Sequence, residues 1–356
     1  MKIAVIVLTE RGRKTALRLR DCFVDKPDLY LHEHCQSAGS SFSFKHLRQL
    51  MPLLWTGYSL LIFIMATGIV VRQISSYLEN KARDPAVLVL DDNGRFIIPL
   101  LSGHLGGANA WARYLAALLP ATPVITTATD GANLIAPDEY ARRFNWKVWP
   151  LKNLPQINRL LLERGYLIVW TEYPLPENHP IKQDSNYRFL PDDQCTRADL
   201  IITACSPTTD SQLFLIPPSL GAGIGCRRGI GTDAVLQAVS LALKQAGVSS
   251  QALGGLYSID LKADEKGLAE AALILKIPFK TFSSDWIQQV NTEQNLAKSE
   301  LVKNKIGVDG VCEAASILGT QMGELILPKL KLQGITIALS RQRYLSWESD
   351  PAIPTI

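Results

Sequence analysis

Short apolar runs alternating with amphipathic stretches are the strongest constraint on this chain. Lys2 to Leu8, Ser59 to Ala66, Ala86 to Leu90 and Arg95 to Leu101 each read as a strand. Arg11 to Leu19 and Gly106 to Leu119 carry apolar residues at helical spacing, and Val124 to Thr127 closes the series as a strand. Strands separated by helices predict βαβ units and a mostly parallel sheet covered on both faces. Asp91-Asp92-Asn93-Gly94 predicts a hairpin, because Asn-Gly takes the positive φ that a tight turn demands, so part of that sheet is antiparallel.

The alternation restarts at Leu220 with a Gly-rich strand or loop. A helix from Thr232 to Ala246, a strand around Leu256 to Ile259, a helix from Asp264 to Leu275 and a strand from Phe279 to Phe282 follow. Gly310 to Leu318 reads as helix and Ile335 to Ala338 as a last strand. Between the two series, prolines such as Pro150, Pro174, Pro191 and Pro217 punctuate short strands at Tyr166 to Trp170 and Leu200 to Thr203. The expected fold class is α/β: two three-layer α/β domains, amino-terminal (1–130) and carboxy-terminal (218–345), with a smaller, less regular middle domain (131–217). A length of 356 residues suits such a division better than one domain.

Charge and cysteine content narrow the class. Lys and Arg total 37 against 33 Asp and Glu, with no basic block, which argues against a nucleic-acid partner. The six cysteines, at 22, 35, 195, 205, 226 and 312, form no C-x-x-C and read as reduced thiols of a cytoplasmic protein. The apolar run Ile3 to Leu8 is too short for a signal-peptide core. Between Arg48 and Arg72 no residue is charged, a stretch long enough to span a bilayer. Pro52, Gly57 and the Thr67-Gly68 turn interrupt it, so a buried strand is the expectation and a membrane is not an expected partner.

The most informative chemistry lies in Ser102-Gly103-His104-Leu105-Gly106-Gly107-Ala108-Asn109, between a strand and a helix. Gly103, Gly106 and Gly107 let backbone N–H groups converge, and the helix start adds a positive dipole end, so a carboxylate, phosphate or oxyanion can sit there without Lys or Arg. The strand's C-terminal end is also where open α/β sheets bind ligands. His104 titrates near neutrality and is the best acid/base candidate; the alternative is a histidine that only caps the helix or ties the loop. Ser102 is a candidate nucleophile, although no G-x-S-x-G surrounds it. Ala66-Thr67-Gly68 with Arg72, and Thr126-Thr127-Ala128-Thr129-Asp130, are expected to face this loop, Asp130 orienting His104; capping and turn formation are the alternatives.

In the third domain Gly221-Ala222-Gly223-Ile224-Gly225-Cys226-Arg227-Arg228-Gly229 raises a dinucleotide site. The G-x-G-x-x-G spacing fails at Arg228, and the acidic residue required about 20 positions on is missing, so a nicotinamide enzyme is disfavoured. Arg227 and Arg228 suit carboxylate binding, with solvent-facing arginines as the alternative. Lys262 follows a strand and Glu313 opens a helix; each serves either a site or an ion pair or cap.

Several of these motifs, in order, resemble the cobalt-precorrin-5A hydrolase family of anaerobic cobalamin biosynthesis. In the first domain they are Ala66 to Arg72, Lys81, Asp84-Pro85-Ala86-Val87, Asp91 to Gly94, Leu100 to Asn109 and Val124 to Asp130. In the third they are Gly223 to Gly229, Ser258 to Lys262, Asp264 to Leu268 and Gly307 to Ala315. The resemblance implies an enzyme that opens the δ-lactone of a cobalt-containing tetrapyrrole and expels C20 with its methyl group as acetaldehyde, giving cobalt-precorrin-5B. It implies no enzyme cofactor and no metal site of the protein's own, since the cobalt arrives in the substrate. On that chemistry His104, Ser102, Asp130 and Glu313 are the catalytic candidates. Thr67, Gly68, Arg72, Gly103, Gly106, Gly107, Asn109, Thr126, Thr127, Gly223, Gly225, Arg227, Arg228 and Lys262 are the substrate-binding candidates. A non-catalytic tetrapyrrole carrier or scaffold of the same pathway is the rival reading. A second copy of the chain or other enzymes of the pathway are the expected protein partners.

Overall fold

The computed structural model describes residues 1–345 apart from 37, 38, 40, 81, 82, 192, 193, 208, 210, 301, 302, 305 and 306. Lys81 of the family-like motif therefore lies outside the described residues. Three sheets organise the described residues. They fall into two compact units, one built from Met1–Phe144 with Asn158–Gly165 and the other from Asn145–Ile157 with the described residues from Tyr166 onward.

The first sheet contains β1 (Ile3–Val7), β2 (Asp28–His32), β3 (Phe42–Phe44), β4 (Leu60–Ile64), β5 (Ala86–Leu90), β6 (Phe96–Leu101) and β7 (Thr122–Pro123) in the order β3-β2-β1-β4-β5-β6-β7. Successive side chains of a strand point to opposite faces, and both faces are apolar here. Val5, Val7, Leu60 and Ile62 pack beneath helices Glu10–Asp21 and Ala108–Leu118. Ala4, Ile6, Leu61 and Phe63 pack beneath Leu47–Gly57 and Thr67–Ile74. This arrangement accounts for the uncharged stretch: it is a helix, a buried strand and a second helix. No helix among the described residues is long and apolar enough to cross a membrane.

The Asp91–Gly94 turn forms as expected. The Asp91 carboxylate accepts the N–H groups of Asn93, Arg95 and Phe96, and Gly94 has φ +67°. It sends β6 antiparallel to β5, with Val87 opposite Leu101 and Leu90 opposite Ile97. β7 then runs parallel to β6. Val124 to Thr127 is not a strand: β7 stops at Pro123, and only the Val124 N–H bond to Ile97 O extends the ladder.

The second unit holds two sheets. One contains β8 (Lys147–Trp149), β9 (Leu167–Thr171), β10 (Tyr187–Phe189), β11 (Leu200–Ile202) and β12 (Leu213–Ile216). The other contains β13 (Leu220–Cys226), β14 (Leu253–Ile259), β15 (Phe279–Phe282), β16 (Glu324–Leu332) and β17 (Ile335–Arg341), in the order β15-β14-β13-β17-β16. β13 is paired on both sides, parallel to β14 and antiparallel to β17. Its glycines serve packing: a Cβ on Gly223 would lie 1.9 Å from Cys312 O, in the helix Cys312–Gly319 laid across the strand.

Gly223→Ala therefore forces that helix off β13. It is expected to lower the urea-unfolding free energy by about 1–3 kcal/mol, the usual cost of overpacking a core. An unchanged unfolding midpoint would contradict this packing.

Candidate functional site

Reversal of β6 decides where the Gly-rich loop lies. β1, β4 and β5 run in one direction, so the end of β6 and the chain following β7 emerge where those three strands begin. Ser102 marks the place by donating its hydroxyl hydrogen to Asp84 O at 3.1 Å, two residues before β5. The strand end that usually binds ligands in parallel sheets lies about 15 Å away across five-residue strands. Thr67, Gly68 and Arg72 follow β4 at that other end, and the Arg72 guanidinium folds back onto Gly68 O at 2.9 Å. They do not face the loop of His104. Thr126, Thr127 and Asp130 do.

A cavity of about 260 Å³ opens at the loop, lined among others by Pro99, Ser102, Gly103, His104, Thr126 and Asp138. Ser102 bends the chain at the strand end with φ +55°, and a Cβ on Gly106 would lie 2.5 Å from the Ser102 Cβ. The N–H groups of Gly107, Ala108 and Asn109 are used inside the loop, by His104 O, Ser102 O and Gly103 O. Those of Gly103, His104, Leu105 and Gly106 have no acceptor among the described residues. Of the Gly106-Gly107 pair, the Gly107 N–H is thus engaged within the loop and the Gly106 N–H is not. Ser102 lines the cavity, but its hydroxyl hydrogen goes to a carbonyl and not to a base.

His104 lies between two carboxylates. Nε2 is 2.9 Å from Asp130 Oδ2, and Nδ1 is 3.3 Å from Asp138 Oδ1 without hydrogen-bond alignment. Burial alone would drive the proton off; the neighbouring Asp138 and Asp130 outweigh it and raise the His104 pKa to about 9. Asp130 is disfavoured by burial, yet donors at Thr127, His104 and Arg113 hold its pKa down to about 2. Asn109 Nδ2 adds further bonds of 2.9 Å to Thr127 Oγ1 and Asp130 Oδ2. At neutral pH the centre is an imidazolium clamped by carboxylates, suited to give a proton and not to take one.

Asp138 and Arg113 are the members that sequence reasoning missed. Arg113 stands four residues after Asn109, on the same helical face, and that spacing was a usable signal. Asp138 follows Pro137 in the first turn of helix Pro137–Arg143, where an acidic residue reads as a dipole partner.

In the second unit, Arg227, Arg228 and Lys262 gather at the C-terminal ends of β13 and β14. Arg228 pairs with Asp264 at 2.6 Å. Glu265 accepts Gly229 N–H at 2.8 Å and Lys262 Nζ at 3.4 Å. The Arg227 guanidinium has no ion pair among the described residues. Gly223 and Gly225 lie within β13, not in a loop after it, so the glycine spacing belongs to strand packing and not to a dinucleotide turn. Glu313 is buried and accepts Lys329 N–H at 3.1 Å.

Known proteins resemble this chain over most of its length. The family described as cobalamin synthesis G N-terminal matches residues 49–130, the cobalamin biosynthesis central region 135–217, and the cobalamin synthesis G C-terminus 220–340. The chain is 36% identical over 294 residues to a cobalt-precorrin-5A hydrolase of Salmonella typhimurium, covering 80% of this chain and 82% of that one. It is 30% identical to the enzyme of the same name from Priestia megaterium, over 95% of this chain and 94% of that one. A solved cobalamin biosynthesis protein G homolog from Sulfolobus solfataricus covers 96% of this chain and 97% of its own at 22% identity, with a TM-score of 0.38.

The clamp makes a pH-dependent contribution to stability. A histidine whose pKa is about 9 folded and near 6.5 unfolded stabilises fully below pH 6.5, and the gain is lost as pH rises through 9. Asp130 works oppositely: its contribution is present above about pH 3.8 and lost as pH falls through about 2. Urea midpoints of the wild type should fall between pH 7 and 9.5, and His104→Gln should flatten that decline. An identical decline in both proteins would contradict the clamp.

Proposed function

The chain belongs to the cobalt-precorrin-5A hydrolase family, and from that premise we propose that it opens the δ-lactone of a cobalt-containing tetrapyrrole and releases acetaldehyde. Relatives bear the name of that hydrolase across most of the chain's length. One observation carries the reading into chemistry: the imidazolium of His104 and three residues whose amides have no acceptor among the described residues, Gly103, His104 and Leu105, line the same cavity.

Hydrolysis of a lactone needs water at the acyl carbon, a place for the oxyanion and a proton for the departing alkoxide. In this reading the N–H groups of Gly103, His104 and Leu105 receive the oxyanion. His104 supplies the proton from Nδ1, the ring nitrogen whose hydrogen lacks an aligned acceptor. Asp130 holds the ring through Nε2, and Asn109, Thr127 and Arg113 hold Asp130. The freed C20 hydroxyl then becomes the carbonyl of acetaldehyde as its bond to the macrocycle breaks. The bonding pair and the hydroxyl proton stay with the ring.

A cavity of about 260 Å³ is below the usual range for a whole ligand, so it takes the lactone-bearing edge of the macrocycle. In the second unit, taken by itself, Arg227 has no ion pair among the described residues and suits a carboxylate. No cofactor of the enzyme's own enters these steps, and the cobalt travels as part of the substrate.

Acetaldehyde can be followed by trapping as its hydrazone after incubation with cobalt-precorrin-5A. The wild type is expected to release it, and His104→Gln to lower kcat about 10²–10⁴-fold while remaining folded. Full activity in that variant would remove His104 from the chemistry. Substrate binding by the wild type with no acetaldehyde would make the protein a carrier.

A further inference from the structure

We infer that the Asp138 carboxylate is the base that takes the proton of the attacking water, an assignment that rests on the lactone-hydrolysis reading. The cavity needs a proton acceptor, and its other candidates are engaged. His104 is already protonated, so it cannot accept a proton from water before giving one away. Asp130 accepts from Thr127, Asn109, Arg113 and His104, and it is not among the described residues that line the cavity. Ser102 is occupied with Asp84 O.

Asp138 differs in each respect. It lines the cavity with its side chain only 6% exposed. Its Oδ1 is buried with no aligned donor, and neither Lys nor Arg pairs with it among the described residues. Adjacent Glu139 takes up Arg142 and Arg143, with bonds of 2.9 and 3.2 Å, which keeps those cations off Asp138. A desolvated carboxylate whose one charged neighbour is the His104 imidazolium, at 3.3 Å, retains lone pairs for an incoming proton.

The step balances. Water oxygen bonds to the acyl carbon as one O–H bond breaks, and that proton goes to Asp138. The acyl–oxygen bond then breaks with its electron pair on the alkyl oxygen, which takes the Nδ1 proton of His104. The proton on Asp138 crosses the 3.3 Å gap to the vacated Nδ1 and restores both groups.

The test uses the full chain with cobalt-precorrin-5A and three proteins: wild type, Asp138→Asn and Asp138→Ala. Asp138→Asn is expected to lose about 10²–10⁴-fold in kcat with KM within about threefold, since the amide fills the same space and cannot take the proton. Asp138→Ala should lose as much and regain activity in proportion to added formate, a small carboxylate that enters the vacated space. A purely structural role would give no formate dependence. Near wild-type kcat in Asp138→Asn, or an inactive Asp138→Ala that formate does not restore, would overturn the assignment. A wild type that releases no acetaldehyde would instead sink the underlying reaction.

Discussion

An imidazole removed from water and set between two carboxylates must either lose its charge or be held in it, and here the carboxylates prevail. Burial opposes the cation, but Asp130 at 2.9 Å and Asp138 at 3.3 Å favour it more strongly. Asp130 is in turn fixed by the Thr127 hydroxyl, the Asn109 amide and the Arg113 guanidinium. The two carboxylates are thus unequal, one saturated with donors and the other nearly without them. That asymmetry separates the roles: Asp130 orients, His104 carries the mobile proton, and Asp138 is left able to exchange it.

The backbone that presents this arrangement depends on one hairpin. Had β6 run parallel to β5, the loop of His104 would have emerged beside Thr67 and Gly68. The Asp91–Gly94 turn reverses it, and β7 follows the same direction. The Gly-rich loop and the Thr126–Asp130 segment therefore arrive together at the opposite end of the sheet. The loop's tightness follows from Ser102 at φ +55° and from Gly106, whose hydrogen touches what a methyl group could not.

Much of this was legible in the residues. Wholly apolar runs marked β4 and β5, and Asn93-Gly94 marked the reversal. The pairing of His104 with Asp130 was read from a polar segment following the last apolar run. Asp138 was hidden because a helix-opening Pro-Asp-Glu has an ordinary local explanation, and only tertiary packing turns one of its carboxylates toward His104. The end of the sheet at which the loop opens was also misjudged: the hairpin was predicted, but its consequence for strand direction concerns three-dimensional order. Leu47–Gly57 contains Pro52, and β16 contains Pro328; both are elements whose proline argues locally against them. β16 tolerates it as an edge strand, paired on one side only. The Gly221-x-Gly223-x-Gly225 pattern shows the converse, a motif-like spacing produced by a helix pressed against a strand.

The division of labour between His104 and Asp138 stands or falls with the charge on the imidazole. Nitrogen-detected NMR of the protein with ¹⁵N-labelled histidine, resolved by comparison with His104→Gln, reads that charge directly. At pH 7.5 both ring nitrogens of His104 should carry hydrogen and show the nearly equal shifts of an imidazolium. One protonated and one bare nitrogen would mean a neutral ring that could itself serve as the base, and the assigned roles would not hold.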